Sequence, residues 1–199
     1  MNPIVVAIAA YLIGSVSFAV VVSRALALPD PRSYGSGNPG ATNVLRTGRR
    51  AAAVLTLIGD AGKGAVAVLL AREYGSDPTL AAGIAAVAVV LGHVFPLYHR
   101  FAGGKGVSTA AGVLFALNPW LGAGTLATWI AIAAFFRISS LAALIAATSA
   151  PVFTAMLYNV RHPYFAAVLM VAAILVLRHR SNIAKLLTGT EGRIGERAS

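Results

Sequence analysis

No cysteine occurs in the 199 residues, which removes disulfides, a thiolate nucleophile and cysteine-ligated metals from consideration. Acidic residues are almost as scarce, six against 16 Lys and Arg. With so few carboxylates, Asp60 and Glu191 do not define a hard-cation site. The four histidines, His93, His99, His162 and His179, form no HExxH pair. No Ser-His-Asp triad is readable, because such a triad is recognised by geometry. An internal repeat of the kind that builds symmetric carriers is also absent. The net charge of +10 gathers in no dense basic tail or amphipathic basic module, so nucleic acid is not an expected partner.

Apolar residues are what remain: 58% of the chain, with a mean hydropathy of +0.78 and 11% charge, a composition typical of integral membrane proteins. Seven apolar blocks are readable, at residues 4–22, 51–71, 80–98, 107–117, 121–136, 141–158 and 164–177. The first has no basic leader ahead of it and is expected to be retained as a helix, not removed as a signal. The block at 107–117 is short enough for a partial or re-entrant span. Most prolines lie at block ends, where the missing amide is tolerated; Pro96 and Pro151 lie inside blocks and predict kinks.

The expectation is an all-α polytopic membrane protein, one domain over 1–199, with seven transmembrane helices. Thirteen of the 16 basic residues, from Arg24 to Arg197, then fall on one face or at its rim. By the bias of Lys and Arg toward the cytoplasm, that face is cytoplasmic, the N terminus outside and the C terminus inside.

Three polar, glycine-rich segments share this face. SYGSGNPGATNVLR, at 33–46, offers turns at Gly35, Gly37 and Gly40 whose amides can converge on an oxyanion. Ser36, Asn38, Thr42 and Asn43 add neutral donors, and Arg46 a planar fork suited to phosphate. A plain surface turn, with Thr42 or Asn43 capping the following helix, accounts for the same residues. In GHVFPLYHRFAGGKGVST, at 92–109, Gly103, Gly104 and Gly106 flank Lys105, a mobile point charge among exposed amides. The residue after that lysine is Gly106, and the Walker A spacing fails, so ATP is rejected. His93 could move a proton or orient a hydroxyl, or simply satisfy a polar group at a helix end.

RHRSNIAKLLTGTEGRIG, at 178–195, places His179 and Asn182 three apart on one helical face, followed by Glu191 after a turn at Gly189. Lys185, Arg193 and Arg197 equally suit a basic interfacial tail. In the second block, Asp60 and Lys63 share a face and are expected to pair within the bundle, bracing Lys63 or Arg46 toward the polar cavity.

Together these segments resemble the three signature loops of the bacterial glycerol-3-phosphate acyltransferases that use acyl phosphate, the PlsY family. The resemblance extends over nearly the whole chain, DAGKG stretch included. It implies an inner-membrane enzyme that moves a fatty acyl group from acyl phosphate to the 1-hydroxyl of sn-glycerol 3-phosphate, releasing lysophosphatidic acid and phosphate in phospholipid synthesis. Ser36, Gly37, Asn38, Gly40, Thr42, Asn43 and Arg46 would then hold acyl phosphate. Lys105, His179 and Asn182 would contact glycerol phosphate, His93 would organise the pocket, and Glu191 would brace its cationic side. Direct transfer is preferred to an acyl-Ser36 intermediate, because the mixed anhydride is already activated. No cofactor, metal or obligate protein partner is expected beyond the substrates and membrane lipids. The competing reading is a membrane transporter of an anion or lipid without acyl-transfer chemistry.

Overall fold

The computed structural model describes residues 1–194, so Gly195 and Arg197 of the basic tail lie outside the described residues. Ten α-helices run through it: α1 (Pro3–Gly14), α2 (Phe18–Ala25), α3 (Ala41–Leu45), α4 (Arg50–Tyr74), α5 (Pro78–Val94), α6 (Val107–Leu117), α7 (Pro119–Phe136), α8 (Ser139–Tyr158), α9 (Pro163–Arg178) and α10 (Arg180–Leu187). Four of them start on a proline that follows a capping side chain. Asn2 accepts from the Ile4 amide, Asp77 from Thr79 and Leu80, Asn118 from Trp120 and Leu121, and His162 from Tyr164. Proline at the first helical position loses no helical hydrogen bond, while the cap satisfies amides that would otherwise be orphaned. Pro96 stands outside α5, which stops at Val94, so only Pro151 interrupts a helix interior.

Among the described residues, five helical segments are long and apolar enough to cross a bilayer: Pro3–Ala25, Arg50–Tyr74, Pro78–His99, Pro119–Phe136 and Ser139–Tyr158. A sixth exists only if α9 and α10, bent by 59° relative to each other, are counted as one span. The seven-helix expectation is corrected accordingly. At 1.5 Å per residue α6 is about 16 Å long and α9 about 24 Å, against a hydrocarbon core of about 30 Å. With five candidate crossings, or six if the bent pair is one span, in place of seven, the assignment of the N terminus outside and the C terminus inside loses the count on which it rested.

The helices pack through small residues and present large ones to lipid. Ala82, Ala85, Ala86, Val89 and Val90 of α5 are sealed in the centre, whereas Ile58, Phe135 and Met156 are exposed. Since lipid tails are as apolar as leucine, helix association in a membrane depends on close packing, and small side chains permit it. A β-carbon on Gly112 would run into the backbone of Ala61, and one on Gly92 into Tyr11 and Gly14. These approaches bring α6 against α4 and α1 against α5. At one end of the bundle Arg72 donates to the Ala116 carbonyl at 3.0 Å, and the N-terminal ammonium reaches the Tyr74 carbonyl. The polar loops lie at the other end.

Candidate active site

The first loop is held from inside by Asn43. Its Oδ1 accepts from the Ser36 amide at 3.0 Å, and its Nδ2 donates to the carbonyls of Pro31, at 2.7 Å, and Tyr34, at 3.2 Å. Gly35 and Gly37 occupy the left-handed region, with φ of +57° and +66°, as a tight turn requires; Gly40, at φ −158°, is extended. The amides of Ser36, Gly37 and Gly40 are already bonded within the loop. What the turn presents outward is therefore side chain: Ser36 and Thr42 are exposed and Asn38 half-buried. Neither Thr42 nor Asn43 caps a helix; Gly40 begins the short α3, and α4 starts afresh at Arg50. At the loop's entry Arg32 grips Asp30 through two bonds of 2.6 and 2.9 Å and holds its carboxyl down at about 2. Arg46 closes α3 exposed beside Gly35, lining an open depression of about 410 Å³ with Tyr34 and Arg49.

The second loop folds back on the end of α5. The Gly104 amide donates to the His93 carbonyl at 3.2 Å, and Gly104 lies against the imidazole Nε2 of that histidine. A β-carbon on Gly104 would also stand 3.0 Å from the Pro39 carbonyl of the first loop; one on Gly103 would stand 2.6 Å from the Val94 carbonyl. Gly106, at φ +86°, then starts α6. Lys105 is half-buried, and burial pushes its ammonium below the ordinary lysine value, opposed by Glu191 and reinforced by Lys185, Arg178 and Arg46. Those neighbours come from the first and third segments.

The third segment closes the cluster at the bend between α9 and α10. Arg178 donates to the carbonyls of Gly103, at 3.3 Å, and Gly104, at 3.4 Å, with its guanidinium 5.7 Å from the centre of the Phe95 ring. His179 is buried; its Nδ1–H donates to the Leu175 carbonyl at 2.7 Å, which fixes the ring and leaves Nε2 the other way. Asn182 Nδ2 donates to Glu191 Oε1 at 2.6 Å, and Ser140 Oγ donates to the same oxygen at 2.6 Å.

Sequence reasoning therefore brought the right segments together and missed two contributors. Arg178 has no role of its own in the sequence reading, yet it clamps the Gly103 and Gly104 carbonyls. The start of α8 went unmarked: Ser140 holds Glu191, Ser139 Oγ lies 3.4 Å from Thr42 Oγ1, and the Arg137 carbonyl accepts from the Ile194 amide at 2.7 Å. The available signal was the polar turn RISS between two apolar blocks. Lys63 pairs with Asp60 inside the bundle, as expected. Its ammonium lies 2.8 Å from Asp60 Oδ1 and donates to the Val16 carbonyl at 2.5 Å, with a side chain only 3% exposed, so it belongs to the bundle interior.

A cluster of cations, neutral donors and one braced carboxylate beside an apolar bundle suits the recognition of phosphates on lipid-like molecules. The comparisons agree. The family model described as glycerol-3-phosphate acyltransferase matches residues 4–189. The glycerol-3-phosphate acyltransferase of Cupriavidus metallidurans is 65% identical over 197 residues, covering 96% of each chain. That of Burkholderia thailandensis is 58% identical over 198 residues, covering 99% of this chain and 98% of its own. Among solved structures, the integral membrane glycerol 3-phosphate acyltransferase PlsY (YgiH) in its glycerol 3-phosphate form superposes with a TM-score of 0.90 at 37% identity, over 97% of this chain and 96% of that one. Its lysophosphatidic acid form gives 0.89 at 36% identity, over 97% and 95%. With the match running from the first helix through all three loops, this chain belongs to the glycerol-3-phosphate acyltransferase family.

Proposed function

We propose that this protein transfers a fatty acyl group from acyl phosphate directly to the 1-hydroxyl of sn-glycerol 3-phosphate, at the cytoplasmic face of a bacterial inner membrane. The observation that carries the reading is the meeting of three chain-distant loops at one point: Arg178 on the Gly103 and Gly104 carbonyls, and Gly104 against His93 and Pro39. The accumulation of Lys and Arg on this face supports its cytoplasmic side. A solved relative has been captured in a glycerol 3-phosphate form and a lysophosphatidic acid form, an acceptor and a product of this reaction.

In this reading Ser36, Asn38, Thr42 and Arg46 face the acyl phosphate, with Gly35, Gly37 and Gly40 shaping the turn and Asn43 holding it from behind. Lys105, His179 and Asn182 receive glycerol phosphate, with Glu191 orienting Asn182, and Gly103, Gly104 and Gly106 bring Lys105 to the headgroup. Both headgroups stay at the interface while the acyl tail remains among helices, so the tail need not enter water. Holding hydroxyl and carbonyl together removes the entropy of their encounter from the barrier. The hydroxyl oxygen bonds to the carbonyl carbon, the carbon–oxygen bond to phosphate breaks, and the hydroxyl proton passes to a phosphate oxygen. Cationic side chains stabilise the charge on the departing phosphate.

Purified protein supplied with acyl phosphate and glycerol 3-phosphate should form lysophosphatidate with one phosphate released per acyl group. Movement of either substrate across a vesicle membrane without phosphate release would establish the transporter reading instead.

A further inference from the structure

Asp60 and Lys63 take no part in the transfer outlined above, yet their side chains are 2% and 3% exposed. A buried ion pair holds together only where neighbouring groups complete its bonding, so the direction of the remaining contacts is informative. Lys63 donates to the carbonyl of Val16. Val16 lies in the break between α1 and α2, where a carbonyl released from helical bonding inside a membrane must find another donor. On its other side Asp60 Oδ1 stands 3.5 Å from His93 Nδ1, and Thr109 Oγ1 of α6 stands 3.1 Å from that same nitrogen. The ring is thus gripped at Nδ1 while Nε2 abuts Gly104.

A second set of bonds joins the same two regions. Ser15 Oγ, in the break, accepts from the Leu97 amide at 3.2 Å, and Tyr11 Oη donates to the Phe95 carbonyl at 2.7 Å. The stretch between His93 and the Lys105 loop is therefore moored to the broken first span at several points. One of those moorings runs through a buried charge pair.

We propose that Asp60, Lys63 and Thr109 are positioning residues for acyl transfer: they lock the His93 imidazole, and through it the loop 103–106, onto the break in the first span. The assignment rests on the transfer reaction proposed above. That reaction is tested by the parent protein alone, whereas the positioning role is read from variants relative to an active parent.

Two variants avoid leaving a lone charge in the bundle. Thr109→Val removes one hydroxyl and no charge, and Asp60→Asn combined with Lys63→Met removes both members of the pair. Each should insert in the membrane, keep its KM for glycerol 3-phosphate, and lose about 10- to 100-fold in kcat per folded molecule, the scale of a misplaced reacting group. Thr109→Val should melt like the parent, and the double variant, which leaves the Val16 carbonyl without its donor, should melt lower. Thr109→Ser, which restores the hydroxyl, should return kcat to the parental value. Parental kcat in Thr109→Val and in the double variant would overturn the inference. So would a loss in Thr109→Ser equal to that in Thr109→Val, which would show that the hydroxyl does not carry the effect, or a fall in kcat that only tracks the amount of folded protein.

Discussion

Adding one methyl group at Gly104 tests whether the three loops work as a unit. Gly104 needs no left-handed backbone, so Gly104→Ala introduces no conformational strain, only volume. That volume is not available: the new carbon would overlap His93 Nε2, with the Pro39 carbonyl at 3.0 Å and His93 Cδ2 at 3.1 Å. Neither neighbour is a free end of a flexible chain, since His93 is buried and the Pro39 carbonyl is backbone. Either the imidazole turns or the two loops separate by about 1 Å, a displacement that costs about 100-fold in rate when it falls between reacting groups. At about 1.36 kcal/mol per tenfold, that amounts to about 2.7 kcal/mol of transition-state stabilisation. The assay is phosphate release and lysophosphatidate formation by protein reconstituted in detergent or vesicles. Gly62→Ala serves as the control, because a β-carbon there meets nothing within 4 Å and lies in α4, where alanine is the better helix former. Parental activity in Gly104→Ala would refute the convergence argument, as would equal losses in the two variants.

Asn43→Asp should be more damaging than Asn43→Ala, although it is closer in shape, because alanine only leaves the Pro31 and Tyr34 carbonyls without their donor, whereas a buried carboxylate also sets a negative charge against them; activity and melting temperature compared across the two variants decide it. For Lys105, burial lowers the ammonium value, so acceptor affinity should fall on the alkaline side at a lower pH than for a free lysine. Between the lowered folded value and the ordinary one the unfolded chain binds more protons, so this group makes stability rise with pH while activity falls; an alkaline loss of stability matching the loss of activity would contradict that sign. Lys105→Ala should abolish most transfer without affecting membrane insertion. Asn182→Asp would place a second carboxylate where the amide now donates to Glu191 at 2.6 Å, and activity should drop sharply and recover in part when Glu191→Gln is added; no recovery would show that the pairing itself is immaterial.

Much of the site was legible because its chemistry is concentrated. In a chain with 11% charged residues, glycine-rich stretches bearing Arg46, Lys105 and His179 stand out against alanine and leucine. Asp60 and Lys63, three apart in a helix, had to share a face, and they pair at 2.8 Å. Asn43 is the opposite case. Its type suggested an outward donor, but the choice between contacting a ligand and holding its own loop depends on where Pro31, Tyr34 and Ser36 lie in space.

The number of spans was misjudged for a related reason. Apolar blocks reveal where a helix is compatible with lipid, not where it ends or bends; α6 stops after 11 residues and α9 turns by 59° at His179. Sequence by itself determined the all-α membrane character, the family and the identity of the polar segments, because composition, periodicity and motif spacing are properties of the chain taken in order. Only the tertiary structure decided that Arg178 clamps the lysine loop, that Ser140 joins through Glu191, and that Lys63 is tied to the break at Val16. Each of those contacts joins residues far apart in the chain, through hydrogen bonds whose donors and acceptors are brought within reach by helix packing alone.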